Sequence, residues 1–115
     1  MVLFSLEDGG SSIVYANVPY RLLKGLKKIV FRGKTVGAVG FDVVGGEMNV
    51  RVLYILPEHR GSGVAKEFIG WLVEEAKKNG ISKVYVMGSR ESTLYADCGF
   101  TWDGKRWVKS VEHGG

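Results

Sequence analysis

The chain has 115 residues, of which 45% are apolar and 24% charged, and a formal net charge of +4. This is the composition of one soluble globular domain, residues 1–115, and no apolar run approaches the roughly 20 residues of a membrane span. The single cysteine, Cys98, excludes an internal disulfide and suits a reducing cytoplasm. No basic flank precedes an apolar core at the N-terminus, so no leader peptide is expected. The cations are dispersed apart from Lys24, Lys27 and Lys28, and Lys77 and Lys78, which reads as solubility and not as a nucleic-acid surface.

In chain order, residues 2–6 read as a first strand, Glu7 to Ser12 as a turn, and Ile13 to Val18 as a second strand. Pro19 opens a short helix, Tyr20 to Leu26, with Leu22, Leu23 and Leu26 on its apolar face. Lys28 to Arg32 and Lys34 to Val44 are strands joined by a tight hairpin at Arg32-Gly33-Lys34. Gly37 and Gly40 mark a bulge or a close backbone approach in the second of them. Gly45-Gly46 turns the chain into a long strand, Glu47 to Leu56. Simple alternation puts Val50, Val52 and Tyr54 on one face of it, and Asn49, Arg51, Leu53 and Ile55 on the other. Both faces are apolar towards its end, as in a central strand.

Pro57 ends that strand, and a helix begins at Ser62 or Gly63. Val64, Ala65, Phe68, Ile69, Leu72, Val73 and Ala76 form its apolar stripe. Lys77 and Lys78 suit its C-terminal end and Gly80 stops it. Gly70 inside this helix suggests tight packing. Ser82 to Met87 is a strand parallel to 47–56, because a right-handed helical crossover joins them. Glu91 to Cys98 is a short helix closed by Gly99. Phe100 to Asp103 and Lys105 to Lys109 flank a type I′ turn at Asp103-Gly104. Ser110 to Gly115 reads as a frayed tail.

The turn His59-Arg60-Gly61-Ser62-Gly63-Val64-Ala65 is the chemically informative stretch. The first N–H groups of a helix lack intrahelical partners, and the helix dipole adds positive charge there. Gly61 and Gly63 let a ligand approach the backbone, and Arg60 adds a forked donor suited to phosphate. An ordinary connection capped by Ser62 is the alternative. The nucleotide P-loop does not fit, since Val64 follows Gly63. The dinucleotide fingerprint does not fit either, since Lys66 occupies its third small position.

Arg60-Gly61-Ser62-Gly63-Val64-Ala65 after a strand resembles the Gln/Arg-x-x-Gly-x-Gly/Ala signature of the GNAT N-acetyltransferases. Leu94-Tyr95-Ala96-Asp97-Cys98-Gly99-Phe100 is similar to that family's Leu/Phe-Tyr-x-x-x-Gly-Phe segment. The resemblance covers about residues 28–109 and implies an α+β fold with a mixed central sheet, short at its N-terminal end. It implies acetyl-CoA as cosubstrate, no metal, and an amine-bearing small molecule or protein as acceptor. The backbone of Leu53, Tyr54, Ile55 and Leu56 would hold the pantetheine arm. Amides of Arg60, Gly61, Ser62, Gly63, Val64 and Ala65 would bind the pyrophosphate. Tyr95 would be the general acid for the departing thiolate. Transfer would be direct, with an oxyanion contact from an amide near Leu53 to Ile55.

The long strand has no carboxylate at its middle. Water or an already deprotonated amine is therefore the expected base, with Glu47 as the strand's candidate carboxylate. Glu58 and Asp97 read as surface charges. Cys98 has no Asp/His constellation around it, and His59 and His113 lack metal-ligand spacing with it. Three features depart from the family: a short opening segment, a minimal last loop, and Gly88 or Ser89 where an Asn is frequent. They suggest an open acceptor face, which a macromolecular amine or a second subunit of a homodimer would complete. They also leave room for a non-catalytic CoA-binding regulatory module.

Overall fold

The computed structural model describes residues 3–14 and 19–111. Seven strands form one sheet: β1 (Phe4–Asp8), β2 (Lys27–Phe31), β3 (Lys34–Val44), β4 (Glu47–Ile55), β5 (Lys83–Val86), β6 (Thr101–Trp102) and β7 (Trp107–Ser110). Three helices accompany them: α1 (Tyr20–Leu23), α2 (Val64–Lys78) and α3 (Thr93–Asp97). The order across the sheet is β1-β2-β3-β4-β5-β7-β6. Neighbours are antiparallel except β4 and β5, which are parallel because α2 carries the chain back across one face.

Local chemistry explains most of these elements. Arg32 and Gly33 both adopt positive φ (51° and 81°), the two-residue turn whose twist matches the paired strands. The α2 stripe is buried at Val64, Phe68, Ile69, Leu72 and Ala76. It packs on Ile29, Val39, Met48, Val50, Val84 and Val86 of the sheet. Phe4 and Trp71 extend this core through ring contacts with Phe68 at 5.5 and 5.8 Å.

The register of β3 against β4 changes what alternation along β4 implies. Phe41 pairs with Val50 but Gly40 pairs with Val52, so Arg51 is an extra residue, a bulge on β4. The bulge reverses the faces beyond it. Leu53 and Ile55 join Met48 and Val50 in packing on the α2 core, while Val52 and Tyr54 change sides. The expected grouping of Val50 with Val52 and Tyr54 is thereby corrected. The close approaches expected at Gly37 and Gly40 are present. A Cβ on Gly37 would meet the Tyr54 carbonyl oxygen, and one on Gly40 would meet the Leu26 side chain.

Other expectations are corrected too. Helix α1 stops at Leu23, and Gly25 at φ 76° lets buried Leu26 drop onto the sheet. Gly10–Ile13 is a 3₁₀ turn; the rest of the strand expected over Ile13 to Val18 falls mainly on residues 15–18, outside the described residues. Gly70 is exposed on α2 with open space around it, so packing does not require it. The last hairpin spans four loop residues, Asp103–Arg106, between Trp102 and Trp107, which pair. The Asp103 carboxylate accepts the N–H groups of Lys105 and Arg106 at 2.9 and 3.0 Å, which an Asp turn does and a two-residue turn cannot. Ser110 closes β7, and buried Val111 donates its N–H to Ser82 O at 2.8 Å, so the ordered chain runs past Ser110. Residues 112–115, including His113, are outside the described residues.

Candidate active site

The parallel pairing of β4 and β5 runs only from Glu47 opposite Lys83 to Val50 opposite Val86. Met87 N–H adds one bond to Val50 O at 3.1 Å. Beyond it β4 continues through Arg51–Ile55 while β5 has ended, so the two strands fork at the Arg51 bulge. Leu56 N–H donates to Val36 O at 2.9 Å, and the Tyr54 carbonyl lies on Gly37, so both point towards β3. Leu53 and Ile55 have the opposite parity, and their backbone groups face the fork. Of the four residues expected to offer backbone to a pantetheine arm, the fold thus turns Leu53 and Ile55 towards the fork and Tyr54 and Leu56 away from it.

The turn before α2 follows directly from β4. Gly61 and Gly63 have φ of 80° and 85°, and no atom lies within 4 Å of where a Cβ would stand on either. Gly63 is the N-cap and offers no side chain. The first intrahelical bond runs from Glu67 N–H to Gly63 O at 3.1 Å. Ser62 sits one residue before the cap. Its hydroxyl donates to His59 O at 2.6 Å and receives Val64 N–H only at 3.4 Å. Among the described residues the amides of Ala65 and Lys66 keep no partner, and they point out of the helix with its positive dipole end.

Arg60 is held from behind. Its Nε donates to Ile55 O at 2.8 Å, and its guanidinium carbon lies 5.3 Å from the centre of the Tyr54 ring. This braces the turn against the end of β4 and leaves the Nη groups as donors. His59 lines a cleft of about 450 Å³ beside the turn, with Arg32, Lys34 and Ser62.

Tyr95 stands on α3 and is 7% exposed. Its ring meets Phe100 and Trp107, each at 6.1 Å, and packs on the backbone of Gly88, two residues past the end of β5. It therefore borders the β5 side of the fork. Burial pushes the phenol pKa up, and nearby Cys98 adds to the shift. The hydroxyl is accordingly protonated at neutral pH, the state required of an acid. Cys98, at the C-terminal end of α3, packs against the core, and burial raises its thiol pKa although Lys66 and Lys109 oppose the shift. A raised thiol pKa disfavours the nucleophilic thiolate.

Glu47 is not brought to the fork. It begins β4, and the six residues to Leu53 span about 20 Å. It lines a cleft of about 300 Å³ on the sheet face opposite α2, with Asp42, Asn49, Tyr85 and Arg106. Arg51 Nε lies 2.8 Å from Asp42 Oδ2, an ion pair whose N–H is not aligned on the oxygen. Asp42, Tyr85 and Arg106 could not be found from sequence, because register and loop geometry bring them here. Among the described residues no His, Cys, Asp and Glu side chains group as a metal site. Among them, too, no helix is long and apolar enough to cross a membrane.

The family model described as "Acetyltransferase (GNAT) domain" matches residues 25–102. No curated protein matches the sequence significantly. Among solved structures, the Escherichia coli ribosomal-protein-S18-alanine N-acetyltransferase is similar over 78% of this chain and 70% of its own, with a TM-score of 0.63 and 17% identity. Tetrahymena GCN5 is similar over 83% and 75%, with a TM-score of 0.67 and 12% identity. The PaiA N-acetyltransferase of Thermoplasma acidophilum, in complex with coenzyme A, is similar over 73% and 57%, with a TM-score of 0.58 and 18% identity. At these identities the likeness is one of fold.

Proposed function

The chain belongs to the GNAT acetyltransferase family, and on that premise we propose that it moves an acetyl group from acetyl-CoA to a primary amine by direct attack. The observation that carries the proposal is the fork at the Arg51 bulge, where the Leu53 backbone groups and the Ile55 N–H face away from β3 with no strand opposite, followed by the uncovered N-terminus of α2. The pantetheine arm would lie along the Leu53 and Ile55 backbone like an added strand. The pyrophosphate would meet the amides of the 60–65 turn and the Arg60 Nη groups, as dipole and donor geometry favour. The PaiA N-acetyltransferase, which has the same fold, is in complex with coenzyme A, which supports this choice of cosubstrate.

In the reaction the amine lone pair forms the C–N bond while the thioester C–S bond breaks. The Leu53 amide would steady the carbonyl oxygen as it gains charge. The Tyr95 hydroxyl would hand its proton to the departing thiolate and recover one from solvent. The amine's surplus proton leaves to water. Glu47, about 20 Å from Leu53 along β4, takes no part in that transfer in this reading. The same distance favours the second reading, a CoA-binding module without catalysis.

The two readings part on one experiment. Thiol release from acetyl-CoA is followed with a panel of amines, for the wild type and Tyr95→Phe. Amine-dependent release that falls in the variant supports transfer. Tight acetyl-CoA binding without release for any amine supports the binding module.

A further inference from the structure

We propose that the cleft on the sheet face opposite α2 is the acceptor pocket, and that it selects a small amine carrying its own carboxylate, an amino acid in its chemistry. This rests on the acetyl-transfer reading and deepens it. In register, Asp42, Asn49 and Tyr85 stand side by side on β3, β4 and β5, on the face opposite the α2 core. Val50 and Val86, one residue further on, form the last pair before the fork. The cleft therefore ends one residue short of the fork, on the sheet face opposite α2, and an acceptor bound in it would extend its amine towards the thioester.

Asn49 Oδ1 is buried and has no hydrogen-bond partner. A buried carbonyl without a donor is costly, and an amine N–H arriving from the cleft would satisfy it. Asn49 is also neutral. Unlike a carboxylate, it holds an amine without favouring the ammonium form, so the attacking lone pair stays available.

The charges in the cleft specify the rest of the acceptor. Asp42 is offset by Arg51. That leaves Glu47 and Arg106, one anion and one cation, with no ion pair to another described residue. Such a pair complements a zwitterion better than a simple amine or a simple acid. Arg106 is fixed in advance. Its guanidinium carbon lies 3.6 Å from the centre of the Tyr85 ring, and its backbone N–H is held by the Asp103 carboxylate. A stacked guanidinium keeps its edge free for a two-pronged bond to a carboxylate. Tyr85 pairs with Asn49, so carboxylate and amine would bind on adjacent strands, a spacing that suits a small amino acid. The volume of about 300 Å³ is at the lower end for small-molecule sites.

The test measures kcat/KM by thiol release with three acceptor sets: amino acids with a free α-amine, the same compounds amidated at the carboxyl, and a peptide with a free N-terminus. Acetyl-CoA affinity is measured separately by calorimetry. The wild type is expected to prefer an acid over its amide by about tenfold or more. Arg106→Gln should bring that ratio to about one, with acetyl-CoA affinity unchanged. Asn49→Ala should lower kcat/KM for acid and amide alike and leave their ratio intact. Equal rates for acids and amides, a peptide as the best acceptor, or a preference that survives Arg106→Gln would each overturn the proposal. Acetyl-CoA binding without acetylation of any amino acid would also overturn it, yet leave the cosubstrate reading standing. Absence of acetyl-CoA binding would remove both.

Discussion

Gly88 and Tyr95 are in contact: a Cβ on Gly88 would lie 2.7 Å from Cε2 of the Tyr95 ring. The ring is wedged between the backbone past β5 and the Phe100 and Trp107 side chains, so it has little freedom to yield. Gly88→Ala should therefore push the phenol off its position. The expected result is a loss of about 1–3 kcal/mol of stability and a fall in kcat of about tenfold or more, with acetyl-CoA affinity nearly unchanged. Denaturant unfolding and steady-state kinetics on the same variant check both parts; unchanged kcat would mean that the hydroxyl's position is immaterial.

Tyr95→Phe removes the proposed acid and keeps the packing. A fall in kcat of about 10²-fold is expected, with calorimetric acetyl-CoA affinity retained. Because burial raises the phenol pKa above its usual 10, the wild type should lose rate on the alkaline side only above pH 10, and the variant should lack that limb. Equal turnover by both proteins would remove Tyr95 from the chemistry.

The same burial predicts how stability responds to pH. Tyr95 and Cys98 have folded pKa values above their unfolded ones, so between the two values the folded state binds more protons. Stability is thus fully present below pH 9, and falls as the pH rises first through the range of the thiol and then that of the phenol. Thermal unfolding across pH 7 to 11 measures this, and a flat profile would contradict it.

Gly70 occupies an exposed helical position with nothing near it. Gly70→Ala should stabilise the protein by about 0.5–1 kcal/mol, mainly by restricting the unfolded chain, and raise the Tm by roughly 3–6 °C. A lower Tm would mean that the helix needs flexibility there.

These cases mark what the sequence could and could not reveal. The α2 stripe, the hairpin at Arg32-Gly33, the parallel crossover and the turn at 60–65 are local patterns, and they were legible. The Arg51 bulge was not, because it exists only as a register between β3 and β4. Assigning faces by alternation therefore failed for Val52 to Ile55. The Asp103 loop misled for a related reason: Asp-Gly favours a two-residue turn, but the Asp carboxylate captured two amides further on. Around the fork, the turn at 60–65 and Tyr95 could be singled out from their motifs. The cleft of Asp42, Asn49, Tyr85 and Arg106 draws on three strands and a loop, which no spacing in the chain announces.

The cradle at the head of α2 is the part on which the whole account depends. Calorimetric titration of acetyl-CoA into the wild type and into Gly63→Glu tests it most directly, with circular dichroism confirming that the variant is folded. Micromolar binding to the wild type is expected, with its loss when a carboxylate is placed at the helix N-terminus. No binding to the wild type, or equal binding to both proteins, would contradict it.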